Sequence, residues 1–204
     1  MFRFALQWRG VLIEASPTNF KKLVENRPDE IALVNEAVCA TPTNLHFVDS
    51  PKQGIGEVSG FLEFSTKSFQ QKWYTKTDIE NALLIPCRPL HAILQDEKYS
   101  IGTTATTTIS TTTTKKTKTN PTYFFDFFSL DVEGAEYAVL TSLDFNVVEF
   151  GVVLVECDSH NPLKNIAIKM LLQANGYTYH QATDQNWWFV NDSFHTIYSG
   201  ILPA

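Results

Sequence analysis

The chain has 204 residues, 44% of them hydrophobic and 19% charged, with a formal net charge of −6. That is the make-up of one globular domain, 1–204, long enough to bury a core. The acidic balance excludes a basic face for nucleic acid, and no run reaches the roughly 18 apolar residues of a membrane span.

In chain order, "RGVLIEASP" (9–17) reads as a buried strand ending in an acid, followed by a helix start at Ser-Pro. "SPTNFKKLVENRP" (16–28) sets Phe20, Leu23 and Val24 at helical spacing, with Pro28 after the end. "IALVNEAVCA" (31–40) reads as the next strand, with its core at 32–38, and "LHFVDS" (45–50) alternates like an edge strand. From 51 to 86 the pattern is poor, and "SPKQGIGEVSG" reads as a loop. "CRPLHAILQD" (87–96) predicts a short helix near Pro89.

Residues 103–119 hold eleven threonines with Lys115, Lys116 and Lys118, too few apolar side chains to offset backbone ordering. A disordered insertion is expected there. "YFFDFFSLDVEG" (123–134) is strand then turn, and "AEYAVLTSLDF" (135–145) is a helix. "GVVLVECDS" (151–159) is a second buried strand, and "PLKNIAIKMLLQANGY" (162–177) is an amphipathic helix stopped at Gly176. "YTYHQA" and "NWWFVND" close the chain as an antiparallel pair.

Near-continuous apolar strands alternating with helices predict an α/β fold: a Rossmann-like, doubly wound, mostly parallel sheet with a C-terminal antiparallel hairpin. Cys39, Cys87 and Cys157 are odd in number and far apart, with no C-x-x-C. They read as reduced core thiols, which leans the compartment toward the cytoplasm. "NDS" at 191–193 is a glycan-acceptor triplet of a kind common by chance.

Ligands of open parallel sheets bind beyond the carboxyl ends of the strands. Glu14, Asp131 and Glu156 end three core strands, and Glu36 lies inside or at the end of "IALVNEAV". Four acids on one rim point to a ligand with hydroxyl, amine or cationic groups. Helix-dipole stabilisation, worth about 0.3–1 kcal/mol per acid, is enough for Glu133 and Glu136, and Glu136 reads as structural. It does not account for Glu14, because Ser16 is the better cap of the helix that follows. An acid in that place takes the two ribose hydroxyls of a nucleoside cofactor.

"WRGVLIEASPTNFKKLVENRP", "NEAVC", "GIGEVSG", "SLDVEGAEYAVLTSLDF" and "VVLVE", in that order over residues 8–177, resemble the FkbM-type methyltransferase domain. The resemblance implies the class I methyltransferase fold with S-adenosyl-L-methionine as cofactor. It also implies a hydroxyl acceptor on a sugar, lipid or small metabolite. Glu14 with Ala15 would then hold the ribose, the turn Glu36-Ala37-Val38 would lie by the adenine, and Asp131 would line the methionine end. Asp131, Glu133 and His160 become the candidate catalytic residues. Glu156, Asp158 and His160 alternate along "ECDSH" and could share a rim, but no metal site is expected. The family's first strand and glycine-rich turn precede the segment matching Trp8. The resemblance therefore leads us to expect an N-terminally truncated version of that fold, with weak cofactor binding. The competing function class is a non-catalytic interaction or trafficking module like the Star-like membrane proteins, which carry related domains. A nicotinamide-binding Rossmann enzyme fits less well, because D-V-E-G-A-E has no place in it. The acceptor's identity and the oligomeric state are not encoded in any motif.

Overall fold

A computed structural model describes residues 8–49, 59–99, 101, 123–157 and 161–198. The Thr-rich tract at 103–119, most of "GIGEVSG", and Asp158 and His160 lie outside the described residues. The chain divides into two compact units, one formed by Met1–Gly102 with Glu133–Ser142, the other by Thr103–Val132 with Leu143–Ala204.

In the first unit, β1 (Val11–Ile13) pairs in parallel with β2 (Ala32–Val34), placing Ile13 opposite Val34. Between them runs α1 (Pro17–Asn26). Its start is encoded locally: Ser16 accepts the Asn19 N–H at 3.0 Å, and Pro17 fills a first-turn position that needs no N–H. A second, four-stranded sheet has the order β3-β6-β4-β5. It is built from β3 (Ala37–Val38), β4 (Thr43–Val48), β5 (Gly60–Phe61) and β6 (Leu83–Arg88). Helices α2 (Lys67–Trp73) and α3 (Lys76–Glu80) fill the stretch where the sequence shows little pattern. Both are short and set by caps rather than by an apolar stripe: Thr66 caps α2, and Thr75 with Asp78 forms a capping box on α3.

"IALVNEAV" is not one strand. Asn35 breaks it by donating its side-chain amide to Glu14 O at 2.8 Å and Ala15 O at 3.3 Å, so β2 and β3 join different ladders. Helix α4 (Leu90–Leu94) is tied to Ser142, beyond α5 (Glu136–Thr141): the Leu90 N–H donates to Ser142 Oγ at 3.1 Å.

The cysteine reading needs correction. Cys39 and Cys87 form a disulfide, with Cα atoms 5.7 Å apart. Their distance in sequence, 48 residues, is closed by the pairing of Ala37 with Cys87 in β3 and β6. The bond lies in a cluster with Ala37, Leu45, Phe47 and Ile85, and only Cys157 stays outside the disulfide, as a buried cysteine. With two of its three cysteines joined, the chain's cysteine usage does not point to the cytoplasm.

The second unit is one sheet of order β7-β8-β10-β9, made of β7 (Tyr123–Leu130), β8 (Val148–Glu156), β9 (Tyr177–Thr183) and β10 (Asn186–Asn191). β7 and β8 run parallel, β8 and β10 antiparallel, and β9–β10 is the expected closing hairpin. Helix α6 (Pro162–Ala174) precedes Gly176, whose φ of 86° ends it, and α7 (Phe194–Ile197) follows β10. Asn191 of the "NDS" triplet is buried, donating to Glu149 Oε1 at 2.8 Å and Phe150 O at 3.0 Å, so it cannot carry a glycan in the folded chain.

Among the described residues, then, the fold is mixed α/β with seven helices and three hydrogen-bonded sheets. Three strand pairings are parallel and four antiparallel, which differs from the single, mostly parallel sheet expected.

Candidate functional site

The Glu14 carboxylate sits just past β1. Its backbone N–H continues the ladder to Val34 O at 3.0 Å, while Oε1 accepts the Ser16 N–H at 2.7 Å. Beside it, Asp49 accepts from Ser16 Oγ and Thr18 Oγ1, both at 2.8 Å. Burial pushes the Glu14 carboxyl up, the Ser16 N–H opposes it, and the charge of Asp49 adds to the upward push. A half-buried carboxylate in this state is short of donors. Ala15, next in the chain, packs against the cluster around the disulfide.

A cleft of about 200 Å³ adjoins Asp49, lined also by Val48, Thr77, Asp78, Asn81 and Leu83. It is smaller than a typical small-molecule site, and Asp78 is committed to the cap of α3. By itself it is not a binding site.

Glu36 is held differently. Arg88 grips its carboxylate with two N–H groups, Nε at 2.7 Å and Nη2 at 2.9 Å, and Tyr99 Oη donates to it as well. Arg88 also pairs with Asp96 at 2.9 Å. Burial alone would raise the Glu36 carboxyl, but the hydrogen bonds from Arg88 and Tyr99 outweigh it and hold the group below the ordinary range. Ala37 and Val38 form β3, opposite Cys87 and Arg88. The first unit thus brings Glu14, Ala15, Glu36, Ala37 and Val38 into two neighbouring stretches, with Asn35 bonded to both Glu14 O and Ala15 O.

Asp131, exposed, follows the last residue of β7 in the second unit. Two residues on, the chain passes into the first unit at Glu133, whose φ of 52° is followed by 105° at Gly134. Only glycine adopts the latter freely, and Phe64 O lies 3.4 Å from where a Cβ would stand. Glu136 is fully buried and accepts the Gly134 N–H at 3.0 Å, the structural part expected of it. Glu156 ends β8 opposite Asn186.

Residues that sequence reasoning passed over enter here. Tyr74 and Glu133 both border the space beside Gly60, and Arg88 with Tyr99 engage Glu36. None stands in a recognisable spacing with its partner, since each pair is separated by more than 50 residues.

Against this geometry, the Methyltransferase FkbM domain family model matches residues 1–179. The chain belongs to the FkbM methyltransferase domain family. No curated protein and no solved structure matches it. FkbM membership makes the chain a methyltransferase at the level of the family, and the D-V-E-G turn and the Glu14 strand end both fall within the matched span. Among the described residues no group of three or more His, Cys, Asp and Glu side chains is placed to hold a metal ion, and no helix is long and apolar enough to cross a membrane.

Proposed function

We propose that this chain transfers a methyl group from S-adenosyl-L-methionine to a hydroxyl on a sugar, lipid or small metabolite. The observation that carries the reading is Glu14. A ribose presents two adjacent O–H donors, and the half-buried Glu14 carboxylate, with its proton affinity raised by burial and Asp49, is an acceptor that such donors would stabilise. The cofactor supplies an electrophilic methyl on a sulfonium sulfur. What the protein adds is alignment of the acceptor oxygen and a place for its proton. Asp131 and Glu133, both exposed, are the carboxylates offered for these tasks, with His160 as the third candidate base.

The Glu36 carboxylate, already engaged by Arg88 and Tyr99, serves the adenine side by fixing the stretch Glu36-Ala37-Val38, at the start of β3, rather than by touching the base. The parallel pairs β1–β2 and β7–β8 and the closing β9–β10 hairpin are ladders that a doubly wound class I sheet would contain. The buried disulfide favours folding in an oxidising compartment.

Calorimetric titration with S-adenosylmethionine tests the reading. Glu14→Ala is expected to weaken binding by about tenfold or more, the loss of a charged hydrogen bond. Equal binding by wild type and Glu14→Ala removes the ribose assignment. A wild-type chain that binds no S-adenosylmethionine or S-adenosylhomocysteine favours a non-catalytic interaction module.

A further inference from the structure

The D-V-E-G turn faces a group that the reading so far leaves unused. Tyr74 caps the end of α2, is 5% exposed, and its hydroxyl oxygen is buried with no hydrogen-bond partner among the described residues. Buried hydroxyls are nearly always paired, because a stranded one has surrendered its hydrogen bonds to water. If only the ring mattered here, phenylalanine would serve better. Phe69 holds that ring edge-on, with centroids 5.9 Å apart.

The hydroxyl and the turn border one small space. A Cβ added to Gly60 would stand 3.2 Å from Tyr74 Oη and 3.8 Å from Glu133 Cβ. Glycine at 60 therefore keeps open the small space that both groups border. Glu133 itself occupies the left-handed region, φ 52°, which a glutamate adopts only when its surroundings impose it. Burial, and then the negative charge of Glu133, push the Tyr74 hydroxyl up to about 12. At neutral pH it keeps its proton and acts as a donor.

We propose that Tyr74 is the positioning residue for Glu133: the Glu133 carboxylate turns onto the Tyr74 O–H, and that hydrogen bond aims it at the substrate hydroxyl. This rests on the methyltransferase reading for its chemical purpose. In the step it serves, the acceptor oxygen bonds to the methyl carbon while the methyl–sulfur bond breaks and its electron pair stays on sulfur. The acceptor's proton passes to the Glu133 carboxylate, leaving a neutral ether and a neutral thioether. Asp131 is then left to orient the acceptor.

The full chain labelled with ¹³Cζ-tyrosine provides the test, with no activity needed. Tyr74→Phe identifies the Tyr74 resonance by its disappearance and keeps the ring that packs on Phe69. The expected result is that Glu133→Gln displaces this resonance at neutral pH, while other tyrosine resonances stay in place. Its alkaline titration should also begin lower, because the carboxylate that opposes ionisation is gone. An unchanged Tyr74 resonance in Glu133→Gln overturns the proposal. So does displacement of every tyrosine resonance together, which would report a general rearrangement. Failure of the wild-type chain to bind S-adenosylmethionine removes the methyltransferase reading alone, since the resonance comparison still decides whether Tyr74 holds Glu133.

Discussion

The two compact units are held together by different physics. The second has strands of six to nine residues in one four-stranded sheet, with Phe150 stacked against both Phe125 and Phe128 and Phe189 fully buried. The first has strands of two to six residues in two ladders, and leans on named polar pairs and a covalent link. Glu30, buried, meets Arg27 at 2.6 Å, Glu36 meets Arg88, and Cys39 meets Cys87. Apolar packing is tolerant and spread over many atoms, whereas each polar pair depends on both members. The unit that carries Glu14, Glu36 and Glu133 is therefore the one whose stability responds to acid and to reductant through these groups.

The largest effect should come from the second unit. Phe189→Ala removes a side chain with 0% exposure and is expected to cost about 3–5 kcal/mol in chemical denaturation. Hydrogen exchange should show the loss first in β8–β10. A loss of under about 1 kcal/mol would break the view of this sheet as a packing-dominated core.

Next is the disulfide. Reducing Cys39–Cys87, or replacing both with alanine, releases a segment of 48 residues and should cost about 2–4 kcal/mol. Thiol alkylation should find one cysteine in the unfolded, unreduced chain and three after reduction. Exchange protection should fall in β3, β4 and β6 while β8 and β10 keep theirs. Equal loss in both units would show that the contrast drawn between them is false.

Arg88→Ala should cost less, about 1.5–3 kcal/mol, because Tyr99 still donates to Glu36. Its signature is in the pH dependence. The folded Glu36 carboxyl lies below its ordinary 4.5, so the pairing stabilises the chain fully above that value. That stability is lost as pH falls through the folded value. The variant should show a smaller acid-side decline, which acid titration of the unfolding midpoint measures.

The smallest effect has the opposite sign. The Glu14 carboxyl is raised above 4.5, so its ionised form opposes folding at neutral pH, and the opposition fades as pH falls through the folded value. Glu14→Gln should raise stability by less than about 1 kcal/mol after solvent screening, while weakening cofactor binding. A destabilised Glu14→Gln chain would mean that the carboxylate is a structural group.

Local physics explains which parts were legible in the linear chain. Ser16 and Pro17 announce α1, Gly176 stops α6, and the apolar runs read from 123 and from 151 fall in β7 and β8, the latter starting three residues earlier at Val148, because caps and strand burial depend on adjacent residues. The acid after β1 and the D-V-E-G turn after β7 were visible for the same reason. The rest needed contacts made across long separations. Only the folded chain sets Cys39 beside Cys87, divides "IALVNEAV" at Asn35, closes Arg88 on Glu36 and brings Tyr74 and Glu133 to the space beside Gly60. Each of those is decided by which strands lie side by side, and strand order is a property of the packed whole that no window of neighbouring residues contains.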